Sequence, residues 1–386
     1  MDFAALAVVM LASLLGPLLA VGSHWHVPVV VGEVLVGVLL GSTGLGYLDP
    51  ADDRFSFLAE VGFALVMFVA GARVPMRDRR VLRSLRTGVA RAALVGAVAS
   101  VFAVAIAGAL GTGHAAVYAV VMASSSAALV LPVVEGQRLG GEPVLQLVTQ
   151  VAVADIACIV ALPFALAPRG AGRAVLGVAT VLLVGALAIG LLALLEHYGV
   201  RRRVHRVSER RKLAVELRTS LLVLFGLAAV ATWSKVSVLL AGFVLGLGVS
   251  LVGEPRRLAR QLFAVTEGFF GPVFFVWLGT SLDLRALGAR PALVLLGILL
   301  GLAAVASHAA ARLLGQPLSL AMLAAAQLGV PVAAATVGVQ LHVMVPGEPA
   351  ALLLGALVTV VLTPVAASWA VRQGWTEPSP PAGAVE

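Results

Sequence analysis

The sequence predicts an all-α polytopic membrane protein of about thirteen transmembrane helices, arranged as a six-plus-six inverted repeat. Three observations predict it. Of 386 residues, 60% are hydrophobic and only 12% charged, with mean hydropathy +1.04; soluble domains average about 25% charged residues. Apolar stretches close to the ~20 residues that cross a bilayer recur along the whole chain. The basic residues between those stretches are distributed very unevenly. This balance excludes an ordinary soluble domain and a disordered chain. The formal charge of +8 therefore reads as basic loops on membrane helices rather than a nucleic-acid surface. A single cysteine, Cys158, excludes an internal disulfide framework.

The apolar segments run over 4–22, 27–47, 54–72, 87–110, 114–135, 143–168, 174–196, 214–232, 236–252, 266–284, 291–314, 317–342 and 348–371. Gly, Pro and charge mark the breaks, as loops require. Segment 1 lacks a basic leader and reads as a retained helix rather than a cleaved signal peptide. His24, Trp25 and His26 form an interfacial loop before segment 2. Arg73 to Arg86 separate segments 3 and 4, Gly111 to Gly113 segments 4 and 5, and Gly136 to Glu142 segments 5 and 6. Pro168 and Arg169 close segment 6, and the run Arg201 to Lys212 lies between segments 7 and 8. Lys235, then Gly253 to Arg257, then Asp283 to Arg290, bound segments 9 and 10. Gly315 to Pro317 and Pro346-Gly347 bound segment 12. Residues 1–375 thus form one transmembrane domain, and the Pro-rich stretch 376–386 is expected to be a short disordered tail.

Thirteen crossings put the two ends of the chain on opposite sides. One side then holds only Arg54, Arg169, Arg173, Lys235, Arg285 and Arg290 of the 27 basic residues. The other holds the remaining twenty-one, including Arg73 to Arg91 and Arg201 to Arg218. By the positive-inside rule that side is cytoplasmic, with the N-terminus outside and the C-terminus inside. Thirteen also divides as six, one and six, so the second six cross in the opposite sense to the first. That is the arithmetic of an inverted repeat. Phe68 to Val74 in segment 3 matches Phe275 to Ser281 in segment 10, and the Gly-spaced run Gly32–Gly41 matches Gly242–Gly248.

Ionisable residues deep in a membrane helix are expensive and mark functional candidates. Asp155, halfway along segment 6, is the only carboxylate at the estimated midplane. A carboxylate there can hold a proton or a desolvated cation, and competition between the two couples their fluxes. Ser124, Ser125 and Ser126 in segment 5 offer oxygens suited to a hard cation, although such hydroxyls also bond back to their own helix. Gly329 and Pro331, followed by Thr336, mark an interruption in segment 12, the repeat mate of segment 5. Interrupted helices near the midplane supply free carbonyls and dipole ends in transporters. His308 in segment 11 is a candidate accessory proton site, since histidine titrates near neutral pH. Glu33, Glu60 and Glu267 lie near helix ends and read as capping or snorkelling residues. There is no P-loop, HExxH or GxSxG motif, so an enzyme is not expected.

Several strings together resemble bacterial monovalent cation:proton antiporters. They are Pro28 to Gly41, Phe68 to Gly71, Ala123-Ser-Ser-Ser-Ala127, Pro272 to Gly279, and Asp155-Ile-Ala-Cys-Ile159, which is most similar to the Kef-type branch. The resemblance covers about residues 27 to 372. It implies a multi-pass protein of the bacterial inner membrane in which segments 5 and 12 cross at unwound centres beside Asp155. It also implies a mobile core (about 87–168 and 291–371) and a dimerising scaffold (about 4–72 and 214–284), hence a homodimer. Transported ions would be H+ and either K+ or Na+, with no cofactor and no nucleic acid. The chain departs from the family at Ala154, where a polar residue precedes the aspartate, and at His308, where many members carry Lys. With one carboxylate, the expected exchange is electroneutral. The Kef-type nucleotide-binding domain is absent, so ligand gating would need a separate cytoplasmic subunit. A gated cation channel and a sodium-coupled organic-anion symporter of the same crossed-helix plan remain alternatives.

Overall fold

The computed structural model describes residues 1–22, 29–74, 79–166, 171–198, 215–234, 236–252, 256–282 and 284–376. Among them every apolar segment is helical. Segment 1 is α1 (Phe3–Ser13) and α2 (Leu15–Gly22), segment 2 is α3 (Val29–Leu40) and segment 3 is α4 (Asp53–Arg73). Segment 4 is α5 (Arg79–Leu110), and segment 5 is split into α6 (Ala115–Ala123) and α7 (Ala127–Gly136). Then follow α8 (Glu142–Leu166), α9 (Ala171–His197), α10 (Val215–Trp233) and α11 (Val238–Val252). Segment 10 comprises α12 (Arg256–Val265), a π-helical turn Thr266–Phe270 and α13 (Gly271–Thr280). After the short α14 (Leu284–Gly288) come α15 (Pro291–Ala309), the split pair α16 (Leu318–Ala324) and α17 (Gly329–Gln340), and α18 (Glu348–Arg372). Among the described residues nine helices are long and apolar enough to cross a bilayer, and four shorter apolar helices accompany them, matching the thirteen apolar segments. Large apolar side chains such as Val101, Val104, Leu176, Leu183 and Leu187 face outward, as a lipid-facing surface requires.

Several boundaries differ from the hydropathic expectation for local reasons. Segment 2 ends at Leu40 instead of continuing to 47, because the chain folds back there: Gly46 N–H bonds Gly41 O and Tyr47 N–H bonds Leu40 O. Thr43 in that turn bonds both Leu282 O (2.5 Å) and Leu284 N–H (2.8 Å), tying it to the end of α13. Segments 4 and 10 begin earlier than hydropathy shows, since Arg79 to Arg86 and Arg256 to Arg260 are helical but not apolar. Thr376 is held in an isolated antiparallel bridge with Leu139, so the chain is fixed to that point. Residues 377–386 of the expected tail, and the loop His24 to His26, lie outside the described residues.

Two glycine-lined contacts give the inverted repeat a physical form. Helix α3 meets α13 so closely that a Cβ at Gly37 would stand 2.1 Å from Val276 O, and one at Gly279 2.1 Å from Val34 O. Helix α4 meets α11 in the same manner, with a Cβ at Gly246 falling 2.2 Å from Phe68 O. The inversion that pairs segments 2 with 9 and 3 with 10 turns one contact into the other. Small residues let backbones approach in this way inside a membrane, where van der Waals packing holds helices together. The core helices of the two halves pack within each half and against each other: α5, α6 and α8 pack on one another, α15, α16 and α17 each pack on α18, and α15 packs on α5 and α6 while α16 and α17 pack on α8.

Candidate functional site

The site is built where two helices break. Three successive serines end α6, because hydroxyls at these positions compete with the helical ladder. Ser124 and Ser126 are extended, at φ −72°, ψ 151° and φ −125°, ψ 106°, and α7 restarts at Ala127. In the repeat mate, α16 ends at Ala324 and α17 starts at Gly329. The interruption is thus Ala325–Leu328, just before Gly329 and Pro331 rather than over them. Pro331 falls in the first turn of α17, where its missing N–H costs nothing. Thr336 lies in the body of α17, bonding Val332 O (2.9 Å), and plays no part in the break.

Asp155 stands against the first break. It is 1% exposed, and its Oδ2 accepts the Ala127 N–H at 3.1 Å, the first amide of α7. A carboxylate at a helix N-terminus is stabilised by unpaired amides and the helix dipole. The three serines divide their roles. Ser124 Oγ donates back to Val121 O (2.7 Å), and Ser125 Oγ donates across to Ala324 O (2.7 Å) at the end of α16. Ser126 Oγ is buried with no partner among the described residues.

His308 is fully buried and reaches Ser125, not the aspartate. Its Nδ1 lies 3.0 Å from Ala304 O, and a carbonyl only accepts, so Nδ1 carries a proton. Its Nε2 lies 3.3 Å from Ser125 Oγ. With the ring neutral, Nε2 and Ala324 O compete for the one Ser125 proton. With the ring protonated, Nε2–H donates to Ser125 Oγ and the hydroxyl is committed to Ala324 O. The ion pairs among the described residues are Met1–Asp52, Arg73–Glu267 and His114–Glu348; none joins His308 to Asp155.

Two residues that sequence reasoning passed over complete the crossing. Gln327, in the second break, donates Nε2–H to Met122 O (3.1 Å), and its backbone N–H donates to Thr359 Oγ1 on α18 (3.1 Å). The second bond mirrors the Ala127–Asp155 bond of the first repeat. In both, an amide freed by the break meets a polar side chain midway along the following helix. One repeat supplies a carboxylate and the other a neutral hydroxyl. A lone amide two residues before Gly329 was the available signal for Gln327.

Two vestibules approach the crossing from opposite ends. One, of about 850 Å³, opens at the arginine-rich end between α3, α4, α7 and α13. The other, of about 340 Å³, opens at the opposite end beside α4, α10 and α17. In the register that sets Phe68 on Phe275, Glu60 falls on Glu267; Glu60 lines the second vestibule and Glu267 the first. The two share no lining residue, and Asp155 lines neither. Phe63 and Phe274 stack at 4.8 Å in the wall of the smaller vestibule, and Met67 and Leu239 cover Gly329. Glu33 lies one turn into α3, near a helix end as expected, but it is 4% exposed and lines the larger vestibule.

Comparison with known proteins agrees in fold and family. A family described as "Sodium/hydrogen exchanger, transmembrane" matches residues 9–373. A candidate Na+/H+ antiporter of Bacillus subtilis, YjbQ, is 24% identical over 94% of this chain and 62% of its own, so the chain spans less than two thirds of that relative. The Na+/H+-K+ antiporter GerN of Bacillus cereus is 20% identical over 68% of this chain and 67% of its own. The structure of the sodium proton antiporter MjNhaP1 from Methanocaldococcus jannaschii superposes with a TM-score of 0.66, covering 95% of this chain and 97% of that one. At 17% identity the likeness is one of fold.

Proposed function

Because this chain belongs to the sodium/hydrogen exchanger family, we propose that it is a secondary antiporter exchanging a monovalent cation, Na+ or K+, for H+. Asp155 would hold the cation and the proton in turn. The observation that carries this reading is one fully buried carboxylate at the N-terminus of a half-helix, beside the unpartnered Ser126 hydroxyl, where two broken helices cross. A cation and a proton exclude each other at a single carboxylate, so a site that changes sides only when loaded exchanges one for the other. Asp155 is buried and lines neither vestibule, and the two vestibules share no lining residue, which supports a carrier over a channel that would join them. Three glutamates in the wall of the larger vestibule oppose the passage of an organic anion.

In this reading α5–α8 and α15–α18 move as a core against a homodimeric scaffold of α1–α4 and α10–α13. The arginine-rich end faces the cytoplasm of a bacterial cell and the N-terminus lies outside. The test is exchange in proteoliposomes followed by a pH-sensitive dye, with Na+, K+ and Li+ added in turn. Asp155→Asn keeps size and hydrogen bonding and removes the exchangeable charge, and is expected to reduce exchange to background while the protein still purifies as a dimer. Wild-type exchange by that variant would defeat the proposal.

A further inference from the structure

We infer that Glu33 forms a second monovalent-cation site, in the wall of the arginine-rich-end vestibule, where a cation is held on its way to Asp155. The inference rests on the antiporter reading for its purpose, and on the geometry for its existence. Glu33 lies one turn into α3, and its Cγ packs close to Gly16 of α2, where a Cβ would stand 3.0 Å away. That packing buries the side chain to 4% exposure while leaving it in the wall of the 850 Å³ vestibule. It has no hydrogen-bond or ionic partner among the described residues. A carboxylate in that position is costly unless a partner arrives from the solvent side.

The neighbouring charges say what the partner is. The charged residues lining this vestibule among the described residues are Glu33, Glu135, Glu267 and Arg73. Arg73 is already engaged by Glu267 across the mouth, and its guanidinium lies 5.1 Å above the Phe263 ring. Among the described residues no cationic side chain of the wall is left for Glu33, and the described wall carries a net negative charge. A negative cleft with low-dielectric walls concentrates cations. The buried Thr266 hydroxyl, which also lines the vestibule and lacks a partner among the described residues, adds a hard oxygen of the kind such an ion accepts. The π turn at Thr266–Phe270 sets Thr266 and Glu267 into this wall, consistent with the frequent placement of such turns at functional sites.

Binding and transport test the site separately. Purified Asp155→Asn, which lacks the deep site, should still gain thermal stability when NaCl or KCl replaces choline chloride at constant ionic strength. The double variant Asp155→Asn/Glu33→Gln should not. In proteoliposomes of known orientation, Glu33→Gln alone should raise the apparent KM for cation at the arginine-rich face by roughly tenfold, the lower end of what charge focusing gives. It should leave the KM at the other face and the maximal rate nearly unchanged. Equal stabilisation of the single and double variants, no cation stabilisation of Asp155→Asn, or an equal KM change at both faces would each overturn the site. Absence of cation/proton exchange by the wild type would instead overturn the antiporter reading, and the stabilisation measurements would still decide the site.

Discussion

Ser125 has one hydroxyl proton and two acceptors that compete for it, whereas Ser126 has an oxygen that nothing touches among the described residues. This difference separates two variants that the sequence treats alike. Ser125→Ala leaves Ala324 O and His308 Nε2 without their partner, and a buried acceptor left unpaired costs about 1–3 kcal/mol. Ser126→Ala removes a polar atom that is already unpaired, so its effect on stability should be near zero. Both remove an oxygen from the crossing, and both should raise the apparent cation KM by roughly fivefold, equivalent to about 1 kcal/mol of binding. Thermal unfolding in detergent and proteoliposome kinetics check this pair. A large loss of stability in Ser126→Ala would place its hydroxyl in the packing instead of the ion path. Asp155 was legible in the sequence because one acid at midplane depth stands out from every apolar neighbour. Gln327 and Glu33 were not, because their importance comes from which break or cavity they face. Depth along a hydropathic segment carries none of that information.

Helix breaks and helix contacts were legible to different degrees. The serine run marked the first break at its true place. Gly329 and Pro331 pointed to the second, but proline belongs to the first turn after a break, so the interruption falls at Ala325–Leu328. The fold-back after Leu40 was hidden because Gly41 to Tyr47 is apolar enough to extend the segment. The contact between α3 and α13 supplies a sharp test. Gly279→Ala would drive a Cβ to 2.1 Å from Val34 O, where backbone must move; overpacking of this kind costs about 1–3 kcal/mol or more. Gly226 on α10 has open space around its Cβ position. There Gly226→Ala should be neutral or stabilising, by up to about 1 kcal/mol of helix propensity. The apparent melting temperature should therefore fall for Gly279→Ala and hold or rise for Gly226→Ala. At the start of α4, the Met1 ammonium 2.5 Å away and then the Phe55 N–H hold Asp52 below the usual carboxylate range. This cap contributes stability above roughly pH 4, the ordinary Asp value, and loses it as pH falls through the lowered one. The difference in melting temperature between wild type and Asp52→Ala should accordingly shrink in acid and be constant from about pH 5 to neutrality, while the Met1 ammonium keeps its charge.

At the scale of the whole molecule, the inverted repeat bears directly on stoichiometry. The repeat duplicates the architecture of the crossing without duplicating its charge: the amide of one break meets Asp155, and the amide of the other meets Thr359. A threonine hydroxyl does not titrate near neutral pH, so the second repeat contributes an oxygen and no proton. Ala154, a methyl beside Asp155, adds none either. Among the described residues, Cys158 lies one turn from Asp155 on α8, and His308 contacts Ser125 and Ala304, not Asp155. Its proton therefore bears on the arrangement of the serine hydroxyl and not on the charge balance at the carboxylate. The expected cycle under the proposed antiporter reading carries one proton against one cation. Proteoliposomes held at a series of potassium diffusion potentials with valinomycin, with Na+ as the transported ion, should then give pH-dye responses independent of the imposed voltage. His308→Ala should leave that independence intact while changing the apparent cation KM through Ser125. A reversal condition that shifts with voltage in the wild type would defeat one-for-one exchange. Loss of the shift in His308→Ala would then assign the second proton to the histidine.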